Sequence, residues 1–201
     1  MDNHITFFTE IYENCAWGDN NEETYKGTSG GGSSIEYNAK YIPFLQNLII
    51  NKNIKTIIDL GCGDFRCGKL IYDDINDITY HGYDAYDKVI DHNKVNIQPK
   101  YNFYHLDIFN QKELLLNGDL CILKDILQHW KLNEIYTFMD YIIETKKYKY
   151  ILLINCCNQK EDNPLNEERS TPLSVKFLPL KKYNPKILFY YNHKEVSIII
   201  N

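Results

Sequence analysis

The sequence predicts an α/β fold with a mostly parallel sheet that closes on an antiparallel hairpin. Three observations carry this. Five short β-rich runs are separated by helix-like stretches at intervals of ~20–25 residues, the rhythm of parallel strands joined by right-handed crossovers. Two further β-rich runs, 186–192 and 195–200, are separated only by His193-Lys194, so one of them runs antiparallel. A glycine turn, Gly61-Cys62-Gly63, follows the first run directly.

In chain order, Ile5, Phe8, Ile11 and Tyr12 have the spacing of a short helix over 5–15. A polar, glycine-rich passage runs from Gly18 to Ser34. Ser33 followed by Glu36 has capping-box spacing and predicts a helix starting there. Tyr37, Tyr41, Phe44, Leu45, Leu48 and Ile49 fall on one face of it. The strand-like runs are 56–60, 79–84, 102–107, 120–124 and 150–155. The clearest helix is 132–146, with Leu132, Ile135, Tyr136, Met139, Ile142 and Ile143 spaced by threes and fours. Residues 158–185 show no long helical pattern. No internal repeat is present. The expected organisation is one domain over 1–201, with N-terminal helices and a Gly-rich lid in 1–53 and the core in 54–201.

At 201 residues the chain has the length of one ordinary domain, and 44% hydrophobic with 24% charged residues is globular composition. Twenty-two basic against 27 acidic residues give a net charge of −5, and Arg66 and Arg169 are the only arginines. That balance counts against a nucleic-acid partner. No apolar run reaches the ~18 residues of a membrane span, and the N-terminus lacks the pattern of a secretory signal. A cytoplasmic protein is expected, and Cys15, Cys62, Cys67, Cys121, Cys156 and Cys157 then read as thiols. No metal-ligand spacing is present.

The chemistry concentrates at Thr56-Ile57-Ile58-Asp59-Leu60-Gly61-Cys62-Gly63-Asp64. Two glycines between a buried strand and a helix start allow a tight turn and a close ligand approach. A dinucleotide site requires a third glycine, and Arg66 occupies that position. Asp59 also suits a cationic ligand, such as an α-amino group, better than a diphosphate. Asp84 stands 25 residues further on, at the end of the second strand, where an acid can accept both hydroxyls of a ribose. Asp107 closes the third run and can accept from an adenine amino group. The competing reading makes each strand-end Asp a local cap.

Taken as an ordered set, these residues resemble the S-adenosylmethionine-dependent methyltransferases of Rossmann-like fold. The likeness spans roughly 35–157 and includes Leu120–Lys124 as the fourth motif. It implies a doubly wound, mostly parallel seven-stranded sheet with helices on both faces. It implies S-adenosyl-L-methionine as cofactor and S-adenosyl-L-homocysteine as product. The cofactor-binding residues would be Asp59, Gly61, Gly63, Asp84, Ala85, Asp107, Ile108, Lys124, Ser33 and Ser34. A narrower likeness lies in Gly-Gly-Ser-Ser-x-Glu-Tyr-Asn at 31–38, in 124–130 and in 177–185. It is to small methyltransferases of bacterial capsular-polysaccharide loci, where O-methyl phosphoramidate and methylated sugars are made. The chain departs from the wider family where an irregular stretch replaces the helix between the fifth and sixth strands.

Residues after the fourth strand are the acceptor-side candidates. His129 is the candidate general base, with Asp125 to orient it or to line the cofactor's methionine end. Trp130 and Gln128, with Tyr37 and Arg169, are candidate substrate contacts. An acceptor that is already an oxyanion needs no base, and His129 would then only position it. The Gly30–Ser34 loop reads either as a linker or as a lid over an anionic group. The expected reaction is O-methylation of a small molecule or glycan precursor, such as a nucleotide-linked sugar or phosphoramidate. A nucleic-acid methyltransferase, a nicotinamide oxidoreductase and a non-catalytic cofactor-binding protein are the competing classes.

Overall fold

The computed structural model describes residues 3–163, 169 and 171–201. Seven strands form one mixed sheet of order β3-β2-β1-β4-β5-β7-β6. The elements in chain order are α1 (His4–Glu13), α2 (Tyr41–Asn51), β1 (Thr56–Leu60), α3 (Gly68–Tyr72), β2 (Thr79–Asp84), α4 (Asp87–Asn96), β3 (Tyr101–His105), β4 (Gly118–Lys124), α5 (Leu132–Glu144), β5 (Tyr148–Cys156), β6 (Lys186–Tyr191) and β7 (Lys194–Ile200). The predicted α/β class is the one observed.

The chain divides into two compact units, Met1–Leu115 and Leu116–Asn201. In the first, β1, β2 and β3 pair in parallel, in register from Thr56↔Thr79 and Tyr80↔Tyr101. Helix α4 packs on β2 and β3, and α2 packs on α3. Ile57, Ile58, Leu60, Val89 and Ile90 are fully buried. Phe65 lies against Tyr72, Tyr80, Tyr101 and Phe103, with ring centroids 5.0–6.1 Å apart.

In the second unit, β4 and β5 are parallel, and β7 runs antiparallel to both β5 and β6. Ile151–Ile154 is a continuous buried run, the pattern of a strand covered on both faces. The apolar stripe of α5 is realised: Ile135, Phe138, Met139 and Ile142 are buried.

Three expectations are corrected. The helix predicted to begin at Ser33 begins at Tyr41. Ser33 makes one short 3₁₀ turn instead, and its hydroxyl donates to the Ser29 carbonyl, 3.0 Å, rather than capping a helix. Asn38 then holds the turn, its amide donating to the carbonyls of Gly32 and Ser34 at 2.9 and 2.8 Å. Lys194, read as part of the hairpin connection, is the first residue of β7; the turn is Asn192-His193. Strand β3 also ends at His105, so Asp107 lies two residues beyond it.

Candidate functional site

In the first unit the glycine turn is built and fully tied. Gly61 and Cys62 both donate their amides to the Tyr83 carbonyl, at 2.7 and 3.0 Å. Gly63 donates to Asp84 Oδ2 at 2.9 Å, and its carbonyl accepts from Asn93 Nδ2 at 2.8 Å. Gly61 and Gly63 have φ of +78° and +53°, the left-handed region where a β-carbon is strained. The second oxygen of Asp84 accepts from Tyr86 N at 3.0 Å. Asp84 is buried, which pushes its carboxyl above the usual range, against the pull of these amides.

The other two predicted acids differ in what they do. Asp59 is half-buried and accepts from the Tyr80 hydroxyl, 2.7 Å. Asp107 caps its own turn: Oδ1 accepts from the amides of Phe109 and Asn110, and Oδ2 from the Asn110 side chain at 2.8 Å. The capping alternative is therefore the geometry at Asp107. Ala85 follows β2, half-buried, and its carbonyl accepts from His105 Nε2. Ile108 is buried in the first unit.

Sequence reasoning missed Ser29. Its hydroxyl accepts from Asp64 N at 2.9 Å and meets the Tyr12 hydroxyl at 3.0 Å, while its amide donates to Asp64 Oδ2 at 3.2 Å. A β-carbon on Gly63 would overlap the Ser29 hydroxyl. Tyr12 in turn stacks on Tyr86, centroids 4.6 Å apart. The glycine-rich passage is thus anchored to the glycine turn through Ser29, one residue before the Gly30–Ser34 loop. Ser33 and Ser34 instead face Cys67, whose thiol donates to the Ser33 carbonyl at 3.4 Å. Tyr37 is half-buried in the turns before α2, and its amide donates to Ser34 Oγ. The one available signal was a serine between two glycines, Gly27 and Gly30, both at positive φ.

In the second unit, Lys124 ends β4, and Asp125 follows in the left-handed region at φ +60°. Asp125 is held from both sides. Lys124 Nζ reaches Oδ2 at 3.0 Å, and Lys194 Nζ reaches Oδ1. Burial alone would raise the Asp125 carboxyl, but the two ammonium groups outweigh it and hold it below the ordinary range. Burial likewise opposes the charge on Lys194, and Asp125 and Cys156 reverse that.

His129 and Gln128 lie in a short 3₁₀ turn (Leu127–His129). Gln128 is structural in part: Oε1 accepts from Cys156 N at 2.9 Å, and its carbonyl accepts from Thr171 N at 2.8 Å. Burial lowers the His129 imidazole to about 4, opposed by Asp125 and reinforced by Lys194 and Arg169, so the ring is neutral at pH 7. Trp130 is a core residue, 2% exposed, edge-on to Phe138. Arg169 donates to the His129 carbonyl and to Glu134 Oε1, both at 3.1 Å. Its guanidinium therefore braces the 3₁₀ turn and the start of α5. All six cysteines are free thiols, and no cluster of metal ligands occurs among the described residues.

No family model matches the sequence, and no curated protein matches it. Solved structures do. The methyltransferase domain of a bacterial Hen1, CtHen1, aligns with a TM-score of 0.61 at 14% identity, over 82% of this chain and all of that one. Human N-acetylserotonin methyltransferase, solved with S-adenosylmethionine, gives 0.59 at 16% identity, over 83% of this chain and 52% of that one. WbdD gives 0.58 at 14% identity, over 84% and 44%. At these identities the likeness is one of fold. It is the fold that the ordered motifs imply: a seven-stranded, mostly parallel sheet with a C-terminal antiparallel pair.

Proposed function

We propose that the protein is an S-adenosylmethionine-dependent methyltransferase acting on an oxygen of a small-molecule or glycan precursor. The observation that supports it best is the tied glycine turn between β1 and α3, with Asp59 beside it and Asp84 hydrogen-bonded to it. Among solved proteins of this fold, PigF carries S-adenosylhomocysteine, and the N-acetylserotonin enzyme carries S-adenosylmethionine. In this reading Gly61, Gly63 and Asp59 face the amino-acid end of the cofactor. Asp84 takes the ribose and Ala85, Asp107 and Ile108 the adenine. Ser33 and Ser34 belong to the lid. The cofactor supplies an electrophilic methyl group on sulfur; the chain's own residues supply alignment, worth ~7–11 kcal/mol in such displacements.

Lys124, at the end of β4, is counted with the cofactor contacts, and Asp125, Gln128 and His129 beyond it form the acceptor side of the proposal. A neutral hydroxyl must lose its proton, and an imidazole lowered to about 4 is a weak base for that task. The likeness of 31–38, 124–130 and 177–185 to capsular-locus methyltransferases supports a nucleotide-linked sugar or phosphoramidate as acceptor. A net charge of −5 argues against nucleic acid. Among the described residues no helix is long and apolar enough to cross a membrane. The test is incubation with methyl-labelled S-adenosylmethionine and a nucleotide-sugar extract, followed by mass spectrometry of labelled products. Label in a sugar or phosphoramidate is expected. Label in nucleic acid, or none, would contradict the reading.

A further inference from the structure

We propose that Lys124 and Lys194 form an oxyanion site that seats a phosphoryl-class group of the methyl acceptor. The inference rests on the methyltransferase reading for the use of the anion, while the site itself can be tested without it.

The starting point is placement. Lys124 is the last residue of β4 and Lys194 the first of β7. Strand β5 lies between, with Lys124 level with Ile154 and Lys194 level with Cys156. Two ammonium groups from non-adjacent strands thus converge at one end of the second unit. They share a single carboxylate, one oxygen each.

Lys194 adds the second observation. Its side chain is 4% exposed. Removing an ammonium from water costs several kcal/mol unless its donors are met. Among the described residues it donates to Asp125 and to Cys156 Sγ, 3.1 Å away, and an ammonium has three donors. An oxygen of a bound anion would take the third.

The donor type selects the anion. A lysine binds an oxyanion as a point charge, and with one carboxylate, Asp125, already between the two ammonium groups, a phosphoryl group brings more charge to them than a second carboxylate would. Both arginines are committed to carboxylates elsewhere, Arg66 to Asp64 and Arg169 to Glu134. The same grouping bears on the chemistry. Asp125 has an ammonium on each oxygen and is a poor proton acceptor. With an acceptor oxygen already ionised, that oxygen attacks the methyl carbon and the carbon–sulfur bond breaks with its electron pair on sulfur. A methyl ester and a thioether result, and no proton has to be removed.

Isothermal titration calorimetry with inorganic phosphate tests this, at matched ionic strength, in the wild type, Lys194→Met and Lys194→Arg. Saturable phosphate binding is expected in the wild type. It should weaken by about tenfold or more in Lys194→Met, the effect of one lost charge-assisted hydrogen bond. Lys194→Arg, which keeps the charge, should retain more phosphate affinity than Lys194→Met. Acetate should not saturate. S-adenosylhomocysteine titrated into the same Lys194 variants should bind as in the wild type. If circular dichroism shows Lys194→Met unfolded, Lys124→Met carries the same phosphate comparison. Heats that follow ionic strength alone, unchanged phosphate affinity in the Met variant, or acetate bound as tightly as phosphate would overturn the proposal. Phosphate binding without S-adenosylhomocysteine binding would uphold the anion site and remove the methyltransferase reading instead.

Discussion

Asp84 already has two partners before any ligand arrives, the amides of Gly63 and Tyr86. Its replacement by Ala should therefore do two things. S-adenosylhomocysteine affinity should fall by ~1.5–3 kcal/mol for a lost charged double hydrogen bond, and thermal stability should fall with it as the turn loses its tie. Calorimetry and a melting curve on one sample separate the two; intact affinity would move the ribose elsewhere. Gly63 is constrained from a second side. Gly63→Ala should cost ~1–3 kcal/mol from its positive φ alone, and more because its β-carbon meets Ser29. A Ser29→Gly background should relieve the steric part only, which a double-mutant cycle by urea denaturation measures. His129 gives a pH signature. Its folded value of about 4 lies below the ordinary 6.5, so the unfolded chain binds the proton more tightly. The stability it contributes is complete above pH 6.5 and is lost as pH falls toward 4, ~1–3 kcal/mol in all. His129→Asn should flatten the melting-temperature slope across that window. The same variant tests catalysis: a turnover loss of ~10²–10⁴-fold marks a base, whereas a loss below tenfold favours an anionic acceptor. Local spacing made the glycine turn of Gly61 and Gly63 legible, and the structure ties that turn to Asp84. Ser29 and Lys194 were hidden because their partners lie 35 and 69 positions away.

The elements were most legible where an apolar period was long and unbroken. Strands β1 and β2 begin and end where their β-rich runs do, and α5 follows its stripe of Ile135, Met139 and Ile142. The misplaced start of α2 shows what competes with a capping motif. The Ser33 hydroxyl and the Asn38 amide both find backbone carbonyls nearby, and these bonds fix turns where a helix was expected. The start of α5 depends on a contact no local pattern announces. Glu134, 4% exposed, accepts from Lys131 N at 2.8 Å and from Arg169. Arg169→Met removes the charged partner of that buried carboxylate and leaves it the Lys131 amide, so a loss of ~1.5–3 kcal/mol is expected in urea denaturation. A loss under ~1 kcal/mol would mean that the Arg169–Glu134 pair does not hold the start of α5.

For the whole molecule, the fold class and the C-terminal hairpin followed from the rhythm of strands, and the structure and its methyltransferase-fold neighbours agree. The acceptor did not follow. The residues that would read it lie in a 3₁₀ turn and at the start of β7, brought together by tertiary folding rather than by a motif. The central claim is that the first unit binds an adenosyl cofactor across the glycine turn and Asp84. A calorimetric titration of S-adenosylhomocysteine, with NAD as comparator, tests it most directly. Saturable one-to-one binding of S-adenosylhomocysteine is expected, with no saturable heat from NAD and binding weakened at least about tenfold in Asp84→Ala. Absence of S-adenosylhomocysteine binding to the folded wild type, or NAD bound in its place, would contradict it.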